Sequence, residues 1–381
     1  MTKHLFLVLL LSSTLLIADF DYGITNTNIT SSQDSLISDE SYIYNYDRLR
    51  FRTDYTEGEF FATAIFDIVN YGGSEFIQSQ FFHYLQKLDS DTPFNTHSNF
   101  YHYEKGAVQT KLYRFYGGYE DDKNRVILGL QNISMGVGRI FNPTNLFNPK
   151  NSYAIEPDEV FGVAGISYTK HIDEMSDLML VISQKADKSF KYAGQYKTFL
   201  EFGDFGIDFI SSDITKMLGL ELEANLADSG VEVRSEVAYI ESTLKTITDT
   251  EEKKFYQVVV GADYGFINGV SMLGEILYSS ESFTYDELLL NLDSEIVSNL
   301  VYSKFHTALS LSYGFNIFLD GSLVYIESFN DKNSRFISPT LNYTLNDYNS
   351  FTLGAMFHNG DEESEFGSLE NRYFFKWSLS F

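Results

Sequence analysis

The chain has 381 residues, of which 53 are acidic and 27 are basic, giving a net charge of −26 at neutral pH. This balance argues against a nucleic-acid partner, because phosphate binding requires a basic protein surface. The chain contains no cysteine, which excludes disulfide scaffolds, thiolate metal sites and cysteine nucleophiles.

The N-terminal residues predict a secretory signal peptide. Lys3 provides a positive charge, residues 5–17 are mostly apolar, and Ala18 is a small residue at the end of this stretch. The apolar stretch is shorter than the ~20 residues that a membrane-spanning helix needs. We therefore assign residues 1–18 to a signal peptide and residues 19–381 to one exported domain.

Beyond the signal peptide, apolar and polar residues alternate in many short segments. A period of two indicates β-strands with one apolar face. Glu221 and Glu223 alternate with leucines, and a soluble core would bury such carboxylates only at a high cost. A water-filled lumen removes this difficulty, so we predict an all-β fold: a closed antiparallel transmembrane β-barrel of about 18 strands, with about 16 as the main alternative. The predicted strands cover residues 20–30, 41–55, 58–70, 108–119, 124–136, 160–171, 176–186, 190–202, 205–212, 216–226, 231–242, 254–266, 270–281, 303–315, 318–328, 334–345, 349–359 and 370–381.

Short polar turns and longer loops alternate between these strands, which is typical of barrels with short turns on the periplasmic side. A ring of about 16–18 strands encloses an aqueous channel unless its own loops fill it. Pro339 falls inside a predicted strand and removes a ladder hydrogen bond, so we expect a bulge or a strand start there. The long loops are predicted at 71–107, 137–159, 243–253, 282–302 and 360–369.

The last predicted strand alternates strictly over residues 373–381. Trp377 lies on its apolar face, Lys376 lies on the other face, and the segment ends on Phe381. It resembles the C-terminal strand of bacterial outer-membrane β-barrels, which closes the barrel and carries the assembly signal. The resemblance implies recognition by the barrel-assembly machinery.

A second resemblance lies within residues 108–160, where a strand runs into a loop rich in glycine, asparagine and proline. The pattern is G-x-Q-x-I from Gly129 to Ile133, followed by G-x-G-R-x-x-N-P-x-N-x-x-N-P from Gly136 to Pro149. This stretch resembles porin-like outer-membrane proteins of Gram-negative bacteria. The resemblance implies contact with outer-membrane lipid and lipopolysaccharide, and a loop that folds inward to narrow the pore. We assign to this constriction loop Asn142, Pro143, Asn145, Glu156, Asp158 and Glu159.

Along each strand, alternate residues should point into the lumen, and we say that these positions have lumen parity. The charged residues at such positions predict two opposed charged walls. Residues two apart on a strand share a face, so three arginines between 48 and 52 should stack with spacings of ~7 Å. Opposed charges would order water and favour polar solutes. Alternatively, the arginines are braced by Asp47, Asp54 or the acidic residues of the constriction loop. The predicted basic residues are Arg48, Arg50, Arg52, Arg114, Arg125, Arg139, Arg372 and Lys376, and the predicted acidic residues are Glu221, Glu223, Glu232, Glu236, Asp263 and Glu275.

Other chemistry is weakly indicated. His83, His97 and His102 share one loop, but their spacing matches no metal-ligand motif, so we expect no metal. Residues 75–88 show near-helical spacing and predict a short helix in that loop. No nucleotide-binding or nucleophile motif occurs, so we expect no cofactor and no enzymatic activity.

These observations favour a porin-like channel of the cell outer membrane for the passive diffusion of small hydrophilic solutes or ions. Two alternatives remain: a closed structural or adhesive barrel whose loops bind a partner, and, less favoured, a barrel enzyme with a site in its loops. A homo-oligomer is left open, because apolar strand faces look alike whether they contact lipid or another subunit.

Overall fold

The structure is a computed structural model that describes residues 19–34, 41–88, 90–329, 333–362 and 364–381. The predicted signal peptide lies outside the described residues. Consecutive wall strands pair antiparallel, and the first strand, Asp19–Asp34, also pairs with the last, Arg372–Ser380. That pairing closes the sheet into a ring. Eighteen of the nineteen strands in the described residues form the wall, as predicted, so the alternative of 16 is wrong.

The strand bounds agree closely with the alternating segments. The one described strand outside the wall, β4 (Tyr101–Tyr103), pairs with the start of the strand Gly106–Glu120. The wall strands are β1 (Asp19–Asp34), β2 (Ser41–Glu57), β3 (Phe60–Gly72), β5 (Gly106–Glu120), β6 (Asn124–Gln131), β7 (Val163–Asp173), β8 (Ser176–Gln184), β9 (Phe190–Leu200), β10 (Gly203–Ser211), β11 (Thr215–Asn225), β12 (Val231–Lys245), β13 (Thr250–Gly265), β14 (Val270–Ser279), β15 (Phe305–Asn316), β16 (Leu319–Ser328), β17 (Ser334–Asn346), β18 (Asn349–Asn359) and β19 (Arg372–Ser380).

The two ends of the barrel differ, and we call them the short-turn end and the loop end. Every connection at the short-turn end is brief, whereas the loop end carries the connections 73–105, 132–162, 280–304 and 360–371. The prediction of a long loop at 243–253 is wrong. Thr243 still pairs with Glu252, and only residues 246–249 form the turn, because the polar tips of β12 and β13 continue their ladder beyond the apolar belt.

Pro339 neither starts a strand nor causes a bulge. It lies within β17 and is paired with Leu323 of β16. Toward β18 the pairing is interrupted, yet Ile337 with Phe357 and Thr340 with Gly354 keep one register on both sides. The missing N–H therefore costs local pairing without shifting the strand.

The connection 73–105 folds back against the inner face of β2 and β3. It contains a 3-10 turn, Phe76–Gln78, and the helix α1, Gln80–Leu85, within the segment predicted to be helical. The ring of Phe76 stacks on Tyr44, with centroids 4.0 Å apart. These contacts cover the tyrosines that share a face with the arginines of β2.

Apolar side chains from the long connections also pack inside the barrel near the loop end. The connection 280–304, with the helix α2 (Tyr285–Leu290), buries Phe283, Ile296 and Leu300 against wall residues such as Ile240. No helix in the described part of the chain is long and apolar enough to cross a membrane. The interior is thus partly filled by the chain's own loops at one end.

Candidate functional site

The connection 132–162, here called the inward segment, crosses the barrel interior and is held by carboxylates of the wall. β6 ends at Gln131, earlier than predicted, and the chain then turns inward. Successive backbone N–H groups from residue 136 to residue 141 donate hydrogen bonds to three glutamates on β11, β12 and β14. Gly136 donates to Glu221, Val137 and Gly138 both donate to Glu236 at 2.5 Å, and Arg139, Ile140 and Phe141 donate to Glu275 at 2.7, 2.9 and 3.0 Å.

This docking requires a tight approach of the backbone to the wall. Gly136 has a φ of +89°, a backbone conformation that residues other than glycine rarely adopt. A Cβ at this position would also lie 2.1 Å from Asn142 Oδ1 and 2.6 Å from Glu236 Oε1. The glycine of the sequence motif is therefore needed for the docking itself.

The asparagine side chains of the motif hold the segment in its folded shape through hydrogen bonds to its backbone. Asn142 donates to the carbonyl of Met135 at 3.0 Å, and Asn145 donates to the carbonyl of Asn148 at 2.8 Å. Asn148 in turn accepts from the N–H of Ile133 at 2.7 Å. Both Asn145 and Asn148 are buried, so their side chains serve the shape of the segment rather than an open passage. The Pro143 carbonyl accepts from Asn299 of the connection 280–304 at 2.9 Å.

The remaining acidic wall residues form a network with two arginines. Arg139 of the inward segment lies 3.1 Å from Glu223 and 3.3 Å from Glu232. Arg234 of β12 is fully buried and lies 3.1 Å from Glu232 and 2.8 Å from Asp263. All six acidic residues predicted from lumen parity therefore lie together at the inward segment or beside it.

The far end of the inward segment contacts the arginines of β2. Arg48 lies 3.0 Å from Glu156 and 3.1 Å from Glu159. Arg50 lies 2.9 Å from Glu159 and 2.7 Å from Asp67 of β3. The segment thus bridges the two charged walls, with backbone donors on one side and carboxylates on the other.

Burial alone would raise the pKa of the Glu159 carboxyl. The hydrogen bond from Arg50 and the charge of Arg48 outweigh burial, so the pKa lies below its usual range. Glu159 is therefore ionised at neutral pH, and the ion pairs that it forms carry full charge.

Arg114 of β5 takes part in the same wall without a carboxylate of its own. Its guanidinium donates to the carbonyls of Tyr113 at 2.7 Å and Val160 at 3.0 Å. The Tyr113 ring lies between two guanidiniums, 3.8 Å from Arg50 and 4.1 Å from Arg114. Tyr113 occupies a bulge where the register between β3 and β5 shifts, which the alternation pattern does not reveal.

Other predicted basic residues lie on the wall strands and pair with groups outside the inward segment or have no contact with it among the described residues. Arg52 pairs with Asp54 at 2.5 Å, Arg125 pairs with Glu120 at 3.4 Å, and both side chains are about half exposed. Arg372 donates to Gln33 of β1 at 2.8 Å. Lys376 lies on β19 opposite Ile29.

Two predicted counter-charges are not brought to the arginines. Asp47 lies on the opposite, outer face of β2, where it accepts from Asn26 at 2.8 Å. Asp158 pairs with Lys150 at 2.8 Å, and its side chain is 82% exposed. Asp47 departs because neighbouring residues on a strand alternate between its two faces, and Asp158 departs because neighbouring side chains in a loop can point in different directions.

Sequence reasoning missed Asp67, although its lumen parity on β3 opposite Arg50 could have identified it. It also missed a buried ion cluster at the loop end. Glu295 of the connection 280–304 lies 2.7 Å from Lys185 and 3.2 Å from Lys191, and all three side chains are nearly fully buried. No sequence signal indicates this cluster, because loop residue 295 is brought to strands distant in sequence.

A cavity of about 560 Å³ lies between this ion cluster and the inward segment. Its lining combines charged and apolar groups, including Ile140, Tyr153, Lys191 and His306. Among the described residues, no group of three or more histidine or acidic side chains is placed to hold a metal ion.

Replacing Glu295 with alanine should loosen the connection 280–304. Lys185 would keep Asp213, 2.6 Å away, but the buried Lys191 would lose its carboxylate partner, and removing one partner of a buried ion pair costs roughly 3 kcal/mol or more. We expect faster proteolysis and faster hydrogen exchange in residues 280–304 of the refolded barrel. The control is Asp293→Ala, which removes an exposed pair with Lys245 and should cost less than about 1 kcal/mol. Equal exchange in the two variants would contradict an anchoring role for Glu295.

No family model and no curated protein sequence matches the chain. Solved structures do match over nearly its whole length. OccAB1 of Acinetobacter baumannii is 10% identical, with a TM-score of 0.60 and 96% of each chain covered. OccAB3 of the same organism is 13% identical, with a TM-score of 0.60, covering 95% of this chain and 99% of its own. The outer membrane protein OpdK of Pseudomonas aeruginosa is 10% identical, with a TM-score of 0.60, covering 95% and 98%. At such identities the similarity shows a shared barrel fold.

Proposed function

We propose that the protein is a porin-like channel of the outer membrane through which small hydrophilic solutes diffuse passively. The observation that carries this proposal is the inward segment held between two charged walls of a closed ring of eighteen strands. A ring of this size encloses a lumen wider than wall side chains can fill. The segment would narrow that lumen, so that solutes pass beside it.

The polar inner surface toward the short-turn end supports a wet passage. Ser312, Ser322 and Thr340 lie on the inner faces of β15, β16 and β17, and the hydroxyls of Ser322 and Thr340 are 2.6 Å apart. Arg52 of the wall and Arg139 of the inward segment have side chains that are 54% and 53% exposed. Such groups stabilise water and polar solutes rather than apolar ones.

The location and the partners belong to the same proposal. Most of the outer face of the wall is a belt of apolar and aromatic side chains suited to lipid, and several structures with this fold are named as outer membrane proteins or Occ proteins. We propose contact with lipopolysaccharide in the outer leaflet and insertion by the barrel-assembly machinery. Neither catalysis nor a cofactor is part of the proposed function.

The purified protein should form open, ohmic channels in planar lipid bilayers. Single-channel recording in potassium chloride tests this directly, and solute uptake into proteoliposomes gives an independent readout. A refolded, heat-modifiable barrel that never conducts would contradict the channel.

That outcome would favour the second candidate, a closed barrel whose loops bind a partner. The apolar clusters of the connections 73–105 and 280–304 inside the loop end are the observation that favours it. A barrel occluded by its loops should exclude even small neutral sugars from liposomes. The two functions are therefore separable with one preparation.

A further inference from the structure

The arginine wall carries no net charge once its neighbours are counted. Arg48, Arg50, Arg52 and Arg114 supply four positive charges on β2 and β5. Each of the first three contacts a carboxylate, and Arg114 is held beside Glu159 through the carbonyl of Val160. The four carboxylates of this cluster are Asp54, Asp67, Glu156 and Glu159.

Two of these four carboxylates come from the inward segment rather than from the wall. Glu156 and Glu159 reach the arginines because residues 136–141 are anchored on the opposite side of the lumen. Their side chains are only 19% and 27% exposed, and their carboxylates are paired with the arginines. An anionic solute would have to displace them to reach Arg48 or Arg50.

The opposite wall is not balanced in this way. Its cationic groups are Arg139, Arg234 and Lys197, which lies 2.8 Å from Glu221. Gln195 donates to both Asp208 and Glu221, at 2.7 and 3.3 Å. Acidic groups outnumber cationic ones on this wall; they are Asp208, Glu221, Glu223, Glu232, Glu236, Asp263 and Glu275.

We propose that the channel favours cationic over anionic solutes, and that Glu156 and Glu159 determine this preference by neutralising the arginine wall. The inference rests on the proposed channel function and gives the charge class of its solutes. Glu223, Glu232 and Asp263 keep about a third of their side-chain surface exposed, so an unbalanced negative potential faces the passage. Fixed charges at the narrowest part of a pore control which ions enter it.

The reversal potential in a potassium chloride gradient tests the preference. The unmodified channel should be selective for potassium over chloride. In the double variant Glu156→Gln/Glu159→Gln, the arginine wall loses two of its four carboxylates, and each glutamine has nearly the size and shape of the glutamate that it replaces. One unit charge about 10 Å from a monovalent ion in water changes the Boltzmann weight of that ion, and so its local concentration, about twofold. Because the effects on potassium and on chloride are opposite, the loss of two charges would change the potassium-to-chloride permeability ratio about 16-fold without screening, and with screening by salt we expect a fall of about fourfold.

Asp158→Asn is the matched control, because Asp158 belongs to the same segment but pairs with Lys150 away from the arginines. Its permeability ratio should stay close to that of the unmodified channel. A conducting but chloride-selective unmodified protein would overturn the inference and leave the channel function intact. An unchanged ratio in the double variant would overturn the role of Glu156 and Glu159. A silent bilayer would instead contradict the proposed function on which the inference depends.

Discussion

Replacing Glu236 and Glu275 together with alanine should release the inward segment from the wall and give larger, noisier single-channel currents. Glu236 accepts hydrogen bonds from the N–H groups of Val137 and Gly138, and Glu275 accepts from three further N–H groups. Each donor left without a partner costs about 1–3 kcal/mol unless water reaches it. The docked position should therefore lose several kcal/mol relative to undocked positions, and the segment should sample both.

The control for this variant is Glu223→Ala. Glu223 contacts the side chain of Arg139 and accepts no hydrogen bond from the backbone of the segment. Its single-channel conductance should remain near that of the unmodified protein, with quiet current traces. If the double alanine variant gave the same conductance and noise as Glu223→Ala, the wall glutamates would not be what holds the segment.

Deleting β19 should abolish the closed barrel. This strand pairs with β1 on one side and with β18 on the other, so its removal leaves two strand edges facing lipid. Unpaired backbone groups cannot be satisfied in the hydrocarbon region, and each costs several kcal/mol. We expect no heat-modifiable species on electrophoresis and complete digestion by protease after attempted refolding in detergent.

Trp377→Ala provides the comparison for the deletion. It removes a large apolar side chain and a hydrogen bond of 3.0 Å to Asn349, but it leaves the backbone ladder of β19 intact. That variant should still form a protease-resistant barrel. A folded barrel from the chain that lacks β19 would show that the ring can close through β1 and β18, contrary to the pairing described.

The wall could be predicted from sequence because its signal is local. Most wall strands present one face of mainly apolar side chains, so alternation within a few residues identifies them, and the aromatic strand at 373–381 indicates closure. The prediction of a loop at the polar tips of β12 and β13 is wrong because, beyond the apolar part of these strands, the alternation no longer distinguishes strand from turn. The prediction of a bulge or strand start at Pro339 is wrong because an interrupted ladder need not shift its register.

The site could be predicted only in part, because its contacts are not local. Lumen parity placed the glutamates of β11, β12 and β14 on one face, and the motif predicted an inward loop. Nothing in the sequence indicates that Glu275 accepts from Ile140, which is 135 residues away. Nor does it distinguish Glu159, which reaches the arginines, from Asp158, which does not. Such distinctions depend on the path of the loop through three dimensions.

The anchoring of the inward segment through main-chain N–H groups has a consequence for how this protein can evolve. These hydrogen bonds do not depend on which side chain follows each N–H group, so Val137, whose side chain takes no part in the ion network of Arg139 or the apolar packing of Phe141, can be exchanged while the attachment persists. The glycines are constrained, since a Cβ at Gly138 would lie 1.8 Å from the carbonyl oxygen of Phe141. In the proposed channel, a single substitution at residue 137 would therefore alter the surface that meets a solute without rebuilding the anchor that holds it.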